Sequence, residues 1–201
     1  MVINKQVAKV LKELEDTAKR EGLPSIGPKK GKIVSAIIKQ YKPTKILEIG
    51  TLHGYSAILM ADLLDYGYND NTRGELITIE IDKNLADTAQ KNIDNAGLSK
   101  NVKVLCGNAL DVIPTLNGYK FDLVFLDAIK RDYFKYLRLI EDENLLRQNA
   151  VVIADNVVLY EDEMRDYLEY VRNSGRYQSR TTETTLEFTK NVRDALEISI
   201  S

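Results

Sequence analysis

The chain is predicted to be a doubly wound α/β domain, a mostly parallel sheet with helices on both faces. Three observations predict it. From Ile46 onward, short apolar runs alternate with segments of helical period, the order expected of βαβ units. Two of those runs, in Phe121–Lys130 (FDLVFLDAIK) and Ala150–Asn156 (AVVIADN), are continuously apolar and stop at Asp127 and Asp155-Asn156, as strands buried on both faces do. The tail instead alternates Leu196, Ile198 and Ile200 with Glu197, Ser199 and Ser201. It follows a connection too short for a crossover helix, so its strands should pair antiparallel.

The elements follow in order. Residues 4–20 place Val7, Val10, Leu11 and Leu14 at helical spacing, and Gly22 and Pro24 end that helix. SIGPKKGK over 25–32 is expected to be a turn-rich link into a second helix bearing Ile33, Ile37 and Ile38, which Pro43 ends. The basic run Lys29, Lys30 and Lys32 reads as a solvated helix start. Ile46–Ile49 is a strand and Tyr55–Leu64 a helix; Leu76–Ile81 is a strand, and Asp82 caps the helix Lys83–Ala96, stopped by Gly97. Val102–Cys106 is a strand, and a short helix from Asn108 to Leu116 should be kinked or shortened by Pro114. After the central strand comes a helix with Tyr133, Leu137 and Ile140 on one face, then the strand Val151–Ala154 and the helix Glu161–Asn173, which Gly175 stops. Arg176–Thr184 and Ala195–Ser201 are the closing strands. One domain over residues 1–201 is expected, with 1–43 as an N-terminal helical cap.

Composition excludes several classes. The 201 residues carry a formal charge of −2, so no global basic field draws the chain to nucleic acid or anionic lipid. One cysteine, Cys106, permits neither an internal disulfide nor a thiolate metal site, and it reads as a buried strand thiol. One histidine, His53, excludes a multi-histidine metal centre. No apolar stretch is long enough to span a bilayer and no signal-peptide core is visible, so a cytoplasmic protein is expected.

Candidate chemistry gathers at strand ends. In open α/β sheets the ligand crevice lies outside the carboxyl ends of the strands. KILEIGTLHGYSAILMA has Gly50 to turn the backbone tightly and Gly54 to permit close approach at the next helix. The pair Gly50-x-x-x-Gly54 does not form a Gly-x-Gly-x-x-Gly fingerprint, so NAD is poorly supported. Glu80, at the end of the second strand, is placed to accept both hydroxyls of a ribose. Asp127, Asp155 and Asn156 offer three hard oxygen ligands and leave positions for water and substrate, which suits magnesium. Without a cation, the paired carboxylates should raise each other's pKa. Lys130 stands a helical turn from Asp127, where a divalent cation would disfavour its ammonium and free an amine to act as base.

At these residues the chain resembles the magnesium-dependent catechol O-methyltransferases, a branch of the class I S-adenosylmethionine-dependent methyltransferases. The resemblance runs from about Gly27 onward through GPKKGKIV, LEIGTLHGYSA, LITIEID, FLDAIK, LLRQNAVVIADNV and the tail TLEF. It implies a Rossmann-like seven-strand sheet with an antiparallel last strand. It implies S-adenosyl-L-methionine as donor, its methionine part held by Glu48, Gly50 and Ser56 with Ile26 at the edge, its ribose by Glu80 and its adenine beside Ile81. Asp127, Asp155 and Asn156 are then ligands of Mg2+ or another divalent cation, with Asp127 also at the cofactor. Lys130 becomes the general base, and Glu187 the carboxylate receiving the second hydroxyl of a catechol-like small-molecule acceptor.

The departures concern the acceptor. The chain has no tryptophan; Ala128 and Ile129 replace a histidine and a tryptophan, Leu110 a glutamine at the adenine, and Tyr160 a wall proline. Two other readings stay open: methylation of a hydroxylated uridine in transfer RNA, for which Lys29–Lys32 and Arg131–Arg138 would be the basic face, and a cofactor-binding module without catalysis. The oligomeric state is open.

Overall fold

The computed structural model describes residues 4–64 and 74–201. Helix α1 (Lys5–Glu21) is capped by the Asn4 side chain and stops at Gly22 in the left-handed region. Helix α2 (Gly27–Tyr41) starts earlier than the sequence predicts, with Pro28 in its first turn. Proline is tolerated there because the missing N–H would have no intrahelical partner. SIGPKKGK is therefore mostly helix rather than link.

The sheet comprises β1 (Lys45–Ile49), β2 (Glu75–Glu80), β3 (Val102–Cys106), β4 (Phe121–Leu126), β5 (Leu146–Ala154), β6 (Gln178–Thr185) and β7 (Arg193–Ile200). Its seven strands lie in the order β3-β2-β1-β4-β5-β7-β6. Neighbours from β3 through β5 are parallel, and β7 runs antiparallel to both β5 and β6. Between them lie α3 (Tyr55–Leu64), α4 (Lys83–Asn95), the short α5 (Ala109–Val112), α6 (Tyr133–Asp142) and α7 (Arg165–Asn173). Pro114 ends α5 in a 3-10 turn over Ile113–Leu116, as its missing N–H requires. Another 3-10 turn over Glu161–Met164 delays α7.

Alternation along each strand divides the core. Leu123 and Phe125 of β4 face α1, α2 and α3 with Ile93 of α4, whereas Val124 and Leu126 face α6 and α7. Cys106 is exposed, contrary to the buried thiol expected. Its strand β3 is the sheet's edge, so its end has a neighbour on one side only.

Between β1 and β4 the strand order reverses, because the chain builds β2 and β3 on one side before crossing to the other. At such a switch point the strand ends diverge and leave a crevice. The backbone there is held in register: Gly50 N–H donates to Ile79 O, Asp127 N–H to Ile49 O and Asp155 N–H to Leu126 O, each at 2.9 Å. The residues just past β1, β4 and β5 thus share one edge.

Candidate active site

Above that edge lies a cleft of about 580 Å³, a size suited to a cofactor-sized ligand. Its floor is the turn after β1. Gly50 has φ 96°, and a Cβ there would run into the Asp127 carbonyl, so only glycine lets the two strand ends approach. Glu80 organises the turn from β2. Its Oε2 accepts the N–H groups of Thr51 (3.1 Å) and Leu52 (2.8 Å), and Oε1 accepts that of Asp82 (3.1 Å). These bonds hold Leu52 at φ 49°, where a non-glycine residue is strained. Oε2 thus spends both lone pairs on the turn, and Oε1 keeps a second one for a ligand.

Ile26, Gly50, Ser56, Glu80 and Ile81 all line this end of the cleft, and Ile81 presents an apolar side chain that is 60% exposed. Glu48 lies beneath them in β1, fully buried and outside the lining. No donor among the described residues meets either of its carboxylate oxygens in hydrogen-bond geometry. Burial pushes its pKa up to about 8; the nearby hydroxyls of Ser56 and Thr78 moderate the effect, and Asp127 and Glu80 add to it. Such an orphaned carboxylate is costly and suits a cationic ligand group.

At the other end stand Asp127, Lys130, Asp155 and Asn156, all lining the cleft. Lys130 Nζ bonds Asp127 Oδ1 at 2.8 Å and the Tyr133 hydroxyl at 2.9 Å, with Tyr160 across from it at 6.0 Å. Asp155 Oδ1 accepts the Asn156 N–H at 2.7 Å and pairs with the Lys30 ammonium. Lys30 also bonds Asp194 Oδ2 at 2.6 Å, and Asn156 Nδ2 donates to the same oxygen at 2.7 Å. Each predicted ligand therefore commits one terminal atom to the protein. Asp127 Oδ2, Asp155 Oδ2 and Asn156 Oδ1 make no hydrogen bond among the described residues.

The electrostatics follow from burial. Burial and then the Asp127 carboxylate raise the pKa of Asp155, against the pull of Lys30 and Lys130. This is the direction the sequence predicts for a carboxylate pair. Asp194 is held low although burial opposes it, because Lys30, Asn156 and the Leu159 N–H all serve its charged form. Among the described residues no three His, Cys, Asp or Glu side chains group as a metal centre. The expected set has two carboxylates and an amide, a donor set that fits a hard cation keeping several waters.

Glu187 reaches the cleft from the β6–β7 connection. Its Oε1 accepts the Lys29 N–H at the start of α2, and Gly27, at φ 57°, has no room for a Cβ beside it. The cleft is rimmed by Ile129, Tyr160 and Phe188, each about two-fifths exposed. Leu110, expected at the adenine, is outside the lining.

A family model described as O-methyltransferase matches residues 2–194. The chain belongs to the O-methyltransferase family. Among curated members, catechol O-methyltransferase of Mus musculus is 36% identical over 91% of this chain and 67% of its own length. That of Sus scrofa is 36% identical over 90% of this chain and 95% of its own length. A crystal structure of an O-methyltransferase from Bacillus cereus in complex with SAH superposes with a TM-score of 0.80 at 26% identity, covering 100% of this chain and 92% of that one. The chain is thus an enzyme of the O-methyltransferase class, and its mixed sheet is that of its structural neighbours. No helix among the described residues is long and apolar enough to cross a membrane.

Sequence reasoning missed three parts of the site. Lys30 is 1% exposed rather than solvated; its position one turn before Val34, and two before Ile37 and Ile38, on the buried stripe of α2 was the available signal. Asp194 carried no motif, and contributes only because β7 is threaded beside β5. Tyr133 reads as an apolar helix residue, yet its hydroxyl holds Lys130.

Proposed function

We propose that this enzyme moves a methyl group from S-adenosylmethionine to one hydroxyl of a catechol-like vicinal diol, with Mg2+ or another divalent cation. The observation that carries the reading is the corner between β4 and β5, where Asp127, Asp155 and Asn156 each leave one oxygen without a partner among the described residues, beside Lys130. The names of the mouse and pig relatives and the SAH in the bacterial enzyme support it.

On the donor side, Glu48 offers the ammonium of the methionine part a buried carboxylate that has no hydrogen-bond partner among the described residues. Gly50, Ser56 and Ile26 shape the space around it. The free lone pair of Glu80 Oε1 accepts a ribose hydroxyl, and Ile81 flanks the adenine. The bound donor supplies an electrophilic methyl group on a sulfonium. Asp127, Asp155 and Asn156 would hold the divalent cation, whose charge orients the diol and lowers the pKa of one hydroxyl.

The remaining work falls to side chains. As a neutral amine, Lys130 Nζ takes the proton of the attacking hydroxyl, while Asp127 Oδ1 and the Tyr133 hydroxyl fix where that nitrogen sits. Glu187 accepts the second hydroxyl through Oε2, since Oε1 is bound to Lys29. Ile129, Tyr160 and Phe188 flank the acceptor ring and exclude water from it. Holding acceptor oxygen and methyl carbon in line supplies much of the acceleration.

Labelled methyl transfer from S-adenosylmethionine to catechol, caffeate and bulk transfer RNA, with and without a chelator, tests the reading. Label should enter the two diols and stop with chelation. Label in transfer RNA with none in either diol would refute it.

A further inference from the structure

The ion-paired cluster behind the corner is not used by the chemistry above. Lys30 stands in the first turn of α2, 1% exposed, with its ammonium paired to Asp155 and Asp194. Both partners are equally enclosed, at 2% and 1%. Burying three charges is seldom a gain in stability over apolar packing, so this lysine is a poor choice if holding α2 to the sheet is its only task.

What the cluster does is fix orientation. Asp155 has two equivalent oxygens, and the Lys30 ammonium and the Asn156 N–H both take Oδ1. Oδ2 is left over. Asn156 is held the same way one step removed: Lys30 and the Leu159 N–H hold Asp194, and its Oδ2 accepts from the Asn156 amide nitrogen. A carboxylate can only accept, so the amide must turn its nitrogen to Asp194 and its oxygen away. One ammonium thus sets the free atom on two neighbouring residues.

We propose that Lys30 is a positioning residue for divalent-cation binding, holding Asp155 directly and Asn156 through Asp194. The inference rests on the cation reading of the corner. Groups that orient metal ligands typically change affinity about 10–100-fold when removed, so an effect on the cation with the rest of the cleft intact is its signature.

The test uses the full chain, Mn2+ as the probe and electron paramagnetic resonance to count free and bound ion, with S-adenosylhomocysteine affinity measured separately by calorimetry. The parent protein should bind one Mn2+, and Asp127→Asn should lose it; a parent that binds none overturns the cation reading and this inference with it. Given a parent that binds, Lys30→Gln should weaken Mn2+ at least about tenfold and change the spectrum of the bound ion, with S-adenosylhomocysteine affinity within about twofold. Unchanged Mn2+ affinity in a Lys30→Gln protein that still binds S-adenosylhomocysteine overturns the role of Lys30 alone. Should that variant fail to bind S-adenosylhomocysteine, Asp194→Asn decides by the same two readings: selective loss of Mn2+ supports the proposal and unchanged Mn2+ affinity overturns it. If both variants lose both ligands, the cluster holds the fold and the positioning role is overturned.

Discussion

Glu48→Gln separates the cost of a buried carboxylate from its use. In the cofactor-free protein, burial carries this carboxyl from the ordinary 4.5 to about 8. A carboxyl raised on folding contributes stability that is fully present below its unfolded pKa and lost as pH rises through its folded one. The loss from Glu48 should therefore run from about 4.5 to about 8. Each unit between the two values is worth about 1.4 kcal/mol, which would make the change between pH 5 and pH 8 roughly 3 kcal/mol. Relaxation of a buried site reduces such figures, so about 1–3 kcal/mol is expected. Glutamine fills nearly the same volume and does not titrate. Urea unfolding of both proteins at pH 5 and pH 8 should show a steeper fall for the parent by that amount, whatever offset the substitution adds at both pH values. With S-adenosylmethionine bound, its ammonium should serve the carboxylate and flatten the parent's pH response, while the variant binds the cofactor more weakly at pH 8. Parallel pH responses for parent and variant would refute the reasoning.

Other expectations follow from single contacts. Lys130→Met should lower kcat about 100-fold or more with S-adenosylhomocysteine affinity within about twofold in calorimetry, since Lys130 bonds Asp127 and Tyr133 and none of Glu48, Gly50, Ser56 and Glu80. Gly50→Ala should abolish cofactor binding, because its Cβ meets the Asp127 carbonyl and its φ is 96°; equilibrium dialysis with labelled cofactor checks this. Arg172→Met should cost about 2 kcal/mol in urea unfolding, by removing the cation that holds Glu197 at 2.8 and 2.9 Å and leaving this 1% exposed carboxylate the Thr181 hydroxyl. Tyr160→Ala should raise KM for caffeate more than for S-adenosylmethionine in steady-state kinetics, because Tyr160 lines the cleft where the acceptor is proposed to bind.

How much of this was legible depended on how local the signal was. The strand Val102–Cys106 and the helix Tyr55–Leu64 appear in the structure with the bounds their apolar patterns suggest. Asp82 caps α4, bonding the N–H groups of Asn84 and Leu85. Asp127 and Asp155 stand at the tips of adjacent strands because the apolar runs before them say where the sheet ends. Burial was harder to read. The exposure of Cys106 depends on β3 being an edge, a property of strand order rather than of VKVLC. The Lys30 pairings span 125 and 164 residues, and a lysine in a basic run gives no sign of such partners. β5 extends back to Leu146 through Arg147, Gln148 and Asn149, all exposed, so pairing rather than burial defines its start.

In the proposed mechanism a cation held by Asp127, Asp155 and Asn156 readies a diol for methyl transfer. Its most direct measurement is the rate of labelled methyl transfer to catechol after removal of divalent ions, followed by titration with Mg2+. The rate should fall to background and return in full with added Mg2+ in the parent, and not return in Asp127→Ala. A stripped enzyme that transfers methyl at its original rate, or an Asp127→Ala variant restored by Mg2+ like the parent, would contradict the account.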